Sequence, residues 1–192
     1  MIETEKFLEE NGYLFLPDFI DKDSCRLMAE SMIQAVESGK SMKDPQCPLS
    51  HSFIDVFDEA HNELLPHLEN VTGKKLIKTY NYCRLYRPGE VLERHTDRES
   101  CEYSITLTVG FEGESWPFFV EEKSGFEKKI LASIGDMIVY KGIERPHWRN
   151  EYKEGEWQAQ IFFHYVDAEG EYKNQPILEM FRKEKNVFIE EI

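Results

Sequence analysis

After Gly73 the chain changes texture, and that change limits the possible fold more than any other feature. Residues 76–86 are rich in Tyr, Leu, Ile and Thr, and residues 104–109 alternate Ser and Thr with Ile and Leu. Residues 116–120, 129–131, 137–140 and 158–166 are further short runs rich in apolar, β-branched or aromatic side chains, the pattern of strands. Turn residues separate them: Pro88-Gly89, Gly113, Gly125, Gly135-Asp136 and Glu154-Gly155. The region before Gly73 reads differently. Residues 3–11 form a short helix, and residues 13–16 form a strand ended by Pro17. A longer helix runs to residue 37, capped by Asp21 or Asp23, with Cys25, Leu27, Met28, Met32, Ile33 and Val36 as its buried stripe. Residues 38–50 read as a loop and residues 53–69 as a third helix. A short helix is expected over residues 177–185. Helices followed by a run of antiparallel strands predict a mainly β fold. The pattern suggests a two-sheet β-barrel or jelly roll, with the N-terminal helices packed on one sheet, in a single domain over residues 1–192.

Charge and cysteine usage narrow the partners. A formal net charge of −14 repels phosphate backbones and anionic headgroups, which argues against nucleic acid and membrane surfaces. No apolar stretch is long enough to span a bilayer, and the acidic start is not a secretory signal. Cys25, Cys47, Cys83 and Cys101 are scattered with no CxxC pair, which predicts free thiols, no structural zinc and a cytoplasmic setting. The basic residues that cluster are Arg84, Arg87, Arg94 and Arg98. They surround the triplet His95-Thr96-Asp97.

That triplet carries the chemistry. In extended chain, residues i and i+2 point the same way, so His95 and Asp97 reach one point while Thr96 points away. His147 follows the apolar run Met137-Ile138-Val139-Tyr140 and Pro146, where a second sheet can deliver another ligand. Two imidazoles and a carboxylate cap one face of a metal ion and leave three positions open. The other histidines fit such a site less well. His61 and His67 fall on different faces of a helix and read as surface or packing residues. His51 sits in a polar loop. His164, within Phe162-Phe163-His164-Tyr165, reads as a core histidine or as a partner of the ligands.

In order along the chain, these motifs resemble the prolyl 4-hydroxylase-like branch of the Fe(II)/2-oxoglutarate dioxygenases. The segment from Tyr86-Arg87-Pro88-Gly89 to His95-Thr96-Asp97 is similar to that branch's Y-x-x-G…H-x-D stretch. Gly135-Asp136-Met137-Ile138-Val139-Tyr140 followed by His147 is similar to its G-D-(apolar)…H stretch. Gly12-Tyr13-Leu14-Phe15-Leu16-Pro17-Asp18-Phe19 looks like its opening strand. The resemblance implies a double-stranded β-helix holding Fe(II) at His95, Asp97 and His147, with 2-oxoglutarate and O2 as co-substrates and a hydroxylated product. Retention of Asp97 favours hydroxylation or desaturation over halogenation, in which relatives replace this carboxylate by a small residue.

One departure stands out. The family usually places an Arg or Lys about ten residues after the second histidine to hold the far carboxylate of 2-oxoglutarate, and here that position is Trp157. Tyr86, Arg149 and Gln160 are the expected holders instead. Arg94, Arg98, Trp116 and Trp148, with Arg84, are expected to line the substrate site, and residues 38–52 with the N-terminal helices to form a lid. The substrate expected is a small molecule or a peptide. A cupin-like metalloprotein that does not use 2-oxoglutarate is the alternative, and a non-enzymatic binding barrel is a third class.

Overall fold

The computed structural model describes residues 3–174; the helix expected over residues 177–185 lies outside the described residues. Three helices and eleven strands follow one another there: α1 (Glu3–Asn11), β1 (Tyr13–Leu16), α2 (Lys22–Glu37), β2 (Met42–Lys43), β3 (His51–Ile54), α3 (Asp58–Thr72), β4 (Leu76–Tyr86), β5 (Leu92–His95), β6 (Tyr103–Gly113), β7 (Phe118–Glu121), β8 (Glu127–Ile130), β9 (Met137–Tyr140), β10 (His147–Arg149) and β11 (Gly155–Asp167). A 3-10 turn, Glu99–Cys101, leads into β6. The strands form two antiparallel sheets, a larger one in the order β1-β9-β6-β11-β4-β3-β2 and a smaller one in the order β5-β10-β7-β8. This is the expected mainly β jelly roll.

The larger sheet is buried on both faces, and its alternation assigns each face a task. Ile105, Leu107 and Val109 of β6, Met137 and Val139 of β9, and Ala159, Ile161, Phe163 and Tyr165 of β11 share a core with Leu8 of α1, Cys25, Ala29 and Met32 of α2, and Leu64 and Leu68 of α3. Each such aliphatic or aromatic side chain contributes roughly 1.5–3 kcal/mol by leaving water. The intervening residues, Ser104, Thr106, Thr108, Gln158, Gln160 and His164, are also buried, but they are polar. A buried polar face needs partners, and this one faces the smaller sheet.

Most local choices follow the sequence. Asp21 caps α2 by accepting from the Ser24 N–H at 2.9 Å, and Gly73, at φ 67°, closes α3 in the left-handed conformation. Leu27, expected in the buried stripe of α2, is 60% exposed. Cys25, Ala29 and Met32 form that stripe, and two residues along a helix turn it by roughly 200°, which puts Leu27 on the side opposite Cys25 and Ala29. The helix expected from residue 53 begins at Asp58, because His51–Ile54 pairs with Leu85–Tyr82 of β4. Covering that exposed sheet edge outweighs helical spacing. Residues 38–50, expected as a loop, contain the two-residue strand β2, which pairs with β3.

Candidate metal centre and cavity

Two short strands of the smaller sheet carry the histidines. β5 and β10 pair antiparallel with His95 directly opposite His147, and the two rings lie 4.4 Å apart between centroids. β5 ends at His95, and Asp97 is placed instead by its N–H, which donates to the Gly142 carbonyl at 2.9 Å. The regular strand therefore stops before Thr96, which also borders the cavity. Asp97 Oδ1 lies 3.7 Å from His95 Nε2 and 3.6 Å from His147 Nε2.

The protons on this cluster can be assigned from its neighbours. His95 Nδ1 is 2.7 Å from the Glu93 carbonyl, and His147 Nδ1 is 2.9 Å from the Arg145 carbonyl. A carbonyl only accepts, so each Nδ1 carries a hydrogen and each ring turns its Nε2 towards Asp97. Burial alone would raise the Asp97 carboxyl, but His147, His164 and His95 beside it hold it well below the usual carboxylate range. Burial and His147 in turn keep His95 below its ordinary value. His95 Nε2, His147 Nε2 and Asp97 Oδ1 thus converge on one point, an arrangement that suits a divalent cation once both Nε2 atoms are unprotonated.

A second layer fixes the carboxylate. Ser104 Oγ donates to Asp97 Oδ2 at 3.2 Å and lies 2.9 Å from His164 Nδ1, so His164 Nδ1–H donates to Ser104. His164 is thereby the ligands' partner through Ser104, and burial lowers it to about 4. Its ring also joins Asp97 and Cys101 in a second grouping of ligand-type atoms within 4.8 Å of one another. His61, on α3, is fully buried and donates from Nε2 to the His164 carbonyl at 3.2 Å. His51 is on β3 with Nδ1 2.9 Å from Ser41 Oγ, not in a polar loop.

The centre opens into a cavity of about 490 Å³. Of the residues expected to hold 2-oxoglutarate, only Arg149 borders it. Arg149 is 2% exposed. Its guanidinium lies 5.2 Å from the Trp116 ring centre and 5.4 Å from that of Phe118, and one Nη donates to the Trp116 carbonyl. Burial pulls it down to about 10 against the Tyr86, Tyr140 and Cys47 groups that favour its charge. It makes no ion pair among the described residues, and its Nε has no partner, as is also true of Gln158 Nε2 and Tyr152 OH nearby. All three residues gather around Trp116: Gln158 accepts from its N–H at 2.6 Å, and Tyr152 stacks on its ring at 5.1 Å. A buried cation without a counter-ion, beside orphaned polar atoms, fits an incoming carboxylate.

The remaining positions expected from the sequence fall elsewhere. Tyr86 is fully buried, accepts from Arg84 at 3.2 Å and does not border the cavity. Gln160 is committed to β6, accepting from Thr106 at 2.9 Å and donating to Thr108 at 2.8 Å. Among the substrate candidates, Arg98 and Arg84 border the cavity. Arg94 does not; it pairs with Glu121 and Glu127 and covers Trp148, which stacks on Phe119. Trp116 is core. Arg94 and Trp148 fail because the residues flanking an inward histidine on a strand point outward. Tyr80, Tyr82 and Phe162 also border the cavity; the motifs do not mark them, although the alternation of β4 and β11 carries that signal, and Tyr140, the last residue of the apolar run before His147, borders it too. Met42, Lys43, Pro45 and Gln46 do lie against it. Asp44 receives Arg84 Nε at 2.5 Å and Tyr82 OH at 2.5 Å, and Gln46 accepts from Arg84 Nη2 at 2.5 Å.

No protein-family model matches the sequence, and no curated protein matches it. Solved structures do match. A prolyl-4-hydroxylase from Pseudomonas putida superposes with a TM-score of 0.68 at 16% identity, covering 85% of this chain and 97% of that one. HygX from Streptomyces hygroscopicus, solved with nickel and 2-oxoglutarate bound, gives 0.69 at 13%, covering 88% of each chain. A prolyl hydroxylase from Trichoplax adhaerens, in complex with a hypoxia inducible factor peptide, gives 0.73 at 12%, covering 90% of this chain and 91% of that one. The chain therefore has the double-stranded β-helix fold of the 2-oxoglutarate/Fe(II) oxygenases.

Proposed function

We propose that this protein is an Fe(II)/2-oxoglutarate-dependent dioxygenase that hydroxylates a small molecule or peptide. The observation that carries the reading is the convergence of His95 Nε2, His147 Nε2 and Asp97 Oδ1 at 3.6–3.7 Å, with both Nδ1 atoms held on backbone carbonyls. The fold's relatives among 2-oxoglutarate oxygenases support it. His95, Asp97 and His147 would hold the metal, and Arg149 would receive the far carboxylate of the co-substrate. Bound Fe(II) and 2-oxoglutarate supply the means of activating O2, with succinate and CO2 as by-products; the protein's contribution is to bind, orient and exclude water. Ser104 and His164 keep the Asp97 carboxylate aimed at the metal. Phe118 and Tyr140 pack against His147 at 5.7 Å and 4.7 Å and fix its ring. Asp97 in place favours hydroxylation over halogenation.

The test is an anaerobic titration of the Fe(II)-loaded protein with 2-oxoglutarate. A visible metal-to-ligand charge-transfer band should appear, and on admitting O2 succinate should form. Absence of both overturns the reading and leaves a metalloprotein of other chemistry, the alternative that Trp157, standing where the family has a base, favours.

A further inference from the structure

Asp97 belongs to a second group of ligand atoms as well as to the first. One of its carboxylate oxygens, Cys101 Sγ and a ring nitrogen of His164 lie within 4.8 Å of one another. The three come from separate segments, each fixed by its backbone. Asp97 N–H donates to the Gly142 carbonyl and Cys101 N–H to the Arg98 carbonyl, both at 2.9 Å. The Ser100 carbonyl accepts from Thr79 of β4 at 2.8 Å, which ties the 3-10 turn to the larger sheet. His164 lies in β11, opposite Ser104 of β6.

The two oxygens of Asp97 face different neighbours. Oδ1 lies 3.7 Å and 3.6 Å from Nε2 of His95 and His147. Oδ2 accepts from Ser104 Oγ at 3.2 Å, and Ser104 Oγ lies 2.9 Å from His164 Nδ1. A Cβ on Gly142 would meet Oδ2, Ser104 Oγ and the Cys101 carbonyl together, which sets Oδ2 on the Cys101 side. Two-metal centres hold their ions roughly 3.5–4 Å apart, a separation that one carboxylate spans.

The donor set indicates the ion. A thiolate with an imidazole suits zinc and other thiophilic cations better than magnesium, calcium or manganese. Tetrahedral zinc, with bonds of about 2.0–2.3 Å, puts its ligand atoms roughly 3.3–3.8 Å apart. A spread of no more than 4.8 Å closes to that by small side-chain rotations. Three protein ligands leave the fourth place for water. Asp97, His164 and Tyr80 border the cavity, so an ion has a way in, and Cys101 is buried behind them. Tyr80 Oη lies 3.1 Å from Cys101 Sγ and can donate to the thiolate that forms.

We infer that Asp97, Cys101 and His164 form a second cation site, suited to a thiophilic divalent ion such as Zn2+, which shares the Asp97 carboxylate with the site of His95 and His147. On binding, the Cys101 S–H bond breaks, an S–metal bond forms and the proton leaves to solvent. The inference concerns binding alone and does not rest on the dioxygenase reading.

The experiment is a titration of the full chain, freed of metal, with Cd2+. Equilibrium dialysis counts the bound ion, and the thiolate-to-cadmium charge-transfer band in the ultraviolet marks the site that holds Cys101. Binding should exceed one equivalent, with the band accompanying only part of it, and Zn2+ should displace the Cd2+ that gives the band. Cys101→Ser should abolish the band and leave the other equivalent in place, which also shows that the variant folds. His95→Ala should do the opposite, keeping the band and losing the other equivalent, and it decides the matter if Cys101→Ser binds neither ion. Asp97→Asn should weaken both. No band, a band that survives Cys101→Ser, a band lost with His95→Ala, or a band untouched by Asp97→Asn overturns the inference.

Discussion

At the scale of single residues, Gly142 shows how closely the cluster of His95, Asp97 and His147 is packed. A Cβ there would lie 2.4 Å from Asp97 Oδ2 and 2.4 Å from the Cys101 carbonyl oxygen. The clash is steric, since Gly142 is not among the residues with positive φ. Asp97 cannot simply swing aside. Ser104 holds its Oδ2, and its N–H is tied to Gly142 itself. Gly142→Ala should therefore cost about 1–3 kcal/mol of stability, as overpacking does, and displace the carboxylate. We expect Fe(II) affinity to fall by about tenfold or more, read by metal titration beside a denaturation curve. Unchanged metal affinity would show that Asp97 is not held as described. Nothing in the residue pattern marks Gly142 beforehand, because its role depends on two backbone segments meeting across the fold.

At the scale of elements, β10 performs the division of labour that a strand allows. His147 and Arg149 are buried and border the cavity, His147 beside Asp97, while Trp148 between them is directed outward onto Phe119 and Arg94. Arg149→Leu should raise KM for 2-oxoglutarate about tenfold or more while metal content holds, because a charged hydrogen bond to the co-substrate is lost. Trp148→Ala should leave KM and metal content within about twofold and cost about 1 kcal/mol of stability, the value of a surface aromatic pair. Steady-state kinetics on both variants separates the inward from the outward residue. The β-forming runs of β4, β6, β9 and β11 are legible in the sequence, and with them the jelly roll and the chain order of His95, Asp97 and His147. The short strands β2, β3, β5 and β10 are not, since two to four residues carry no measurable period. That loss is where the expected site departs from the observed one. Without the register of β5, Arg94 and Arg98 look equivalent. Without β3, the Asp44–Arg84 pair that binds residues 42–46 to β4 has no visible basis. Gln160 does face inward, as its place in β11 implies, but the cross-strand Thr106 and Thr108 that use up its amide belong to a pairing the sequence alone does not display.

At the scale of the whole molecule, burial of neutral imidazoles sets the response to acid. Burial holds His61 at about 3 and His164 at about 4, and lowers His51 and His95 as well, against about 6.5 in an unfolded chain. Between those limits the unfolded state binds protons that the folded state refuses. Stability is then fully present above about pH 6.5, falls as pH drops below it, and levels off only below the folded values. Each such histidine adds a slope of up to about 1.4 kcal/mol per pH unit. The strongly held carboxylates, Asp44 and Asp97, are lowered from 3.8 and contribute below about pH 5, so the interval from about pH 6.5 to about 5 is the one the imidazoles dominate. His61 is the cleanest probe, because it lies in α3 away from the ligands, with Nδ1 unpartnered and its ring against Phe163 and Tyr165. His61→Phe keeps that packing and removes the titration, at the cost of one hydrogen bond to the His164 carbonyl. Denaturant unfolding of the metal-free protein at pH 5, 6, 7 and 8 should show the wild type losing stability from about pH 6 downward and the variant losing less per pH unit. Parallel curves would mean that His61 takes up its proton without unfolding, and that the packing between α3 and β11 is looser than its buried ring requires.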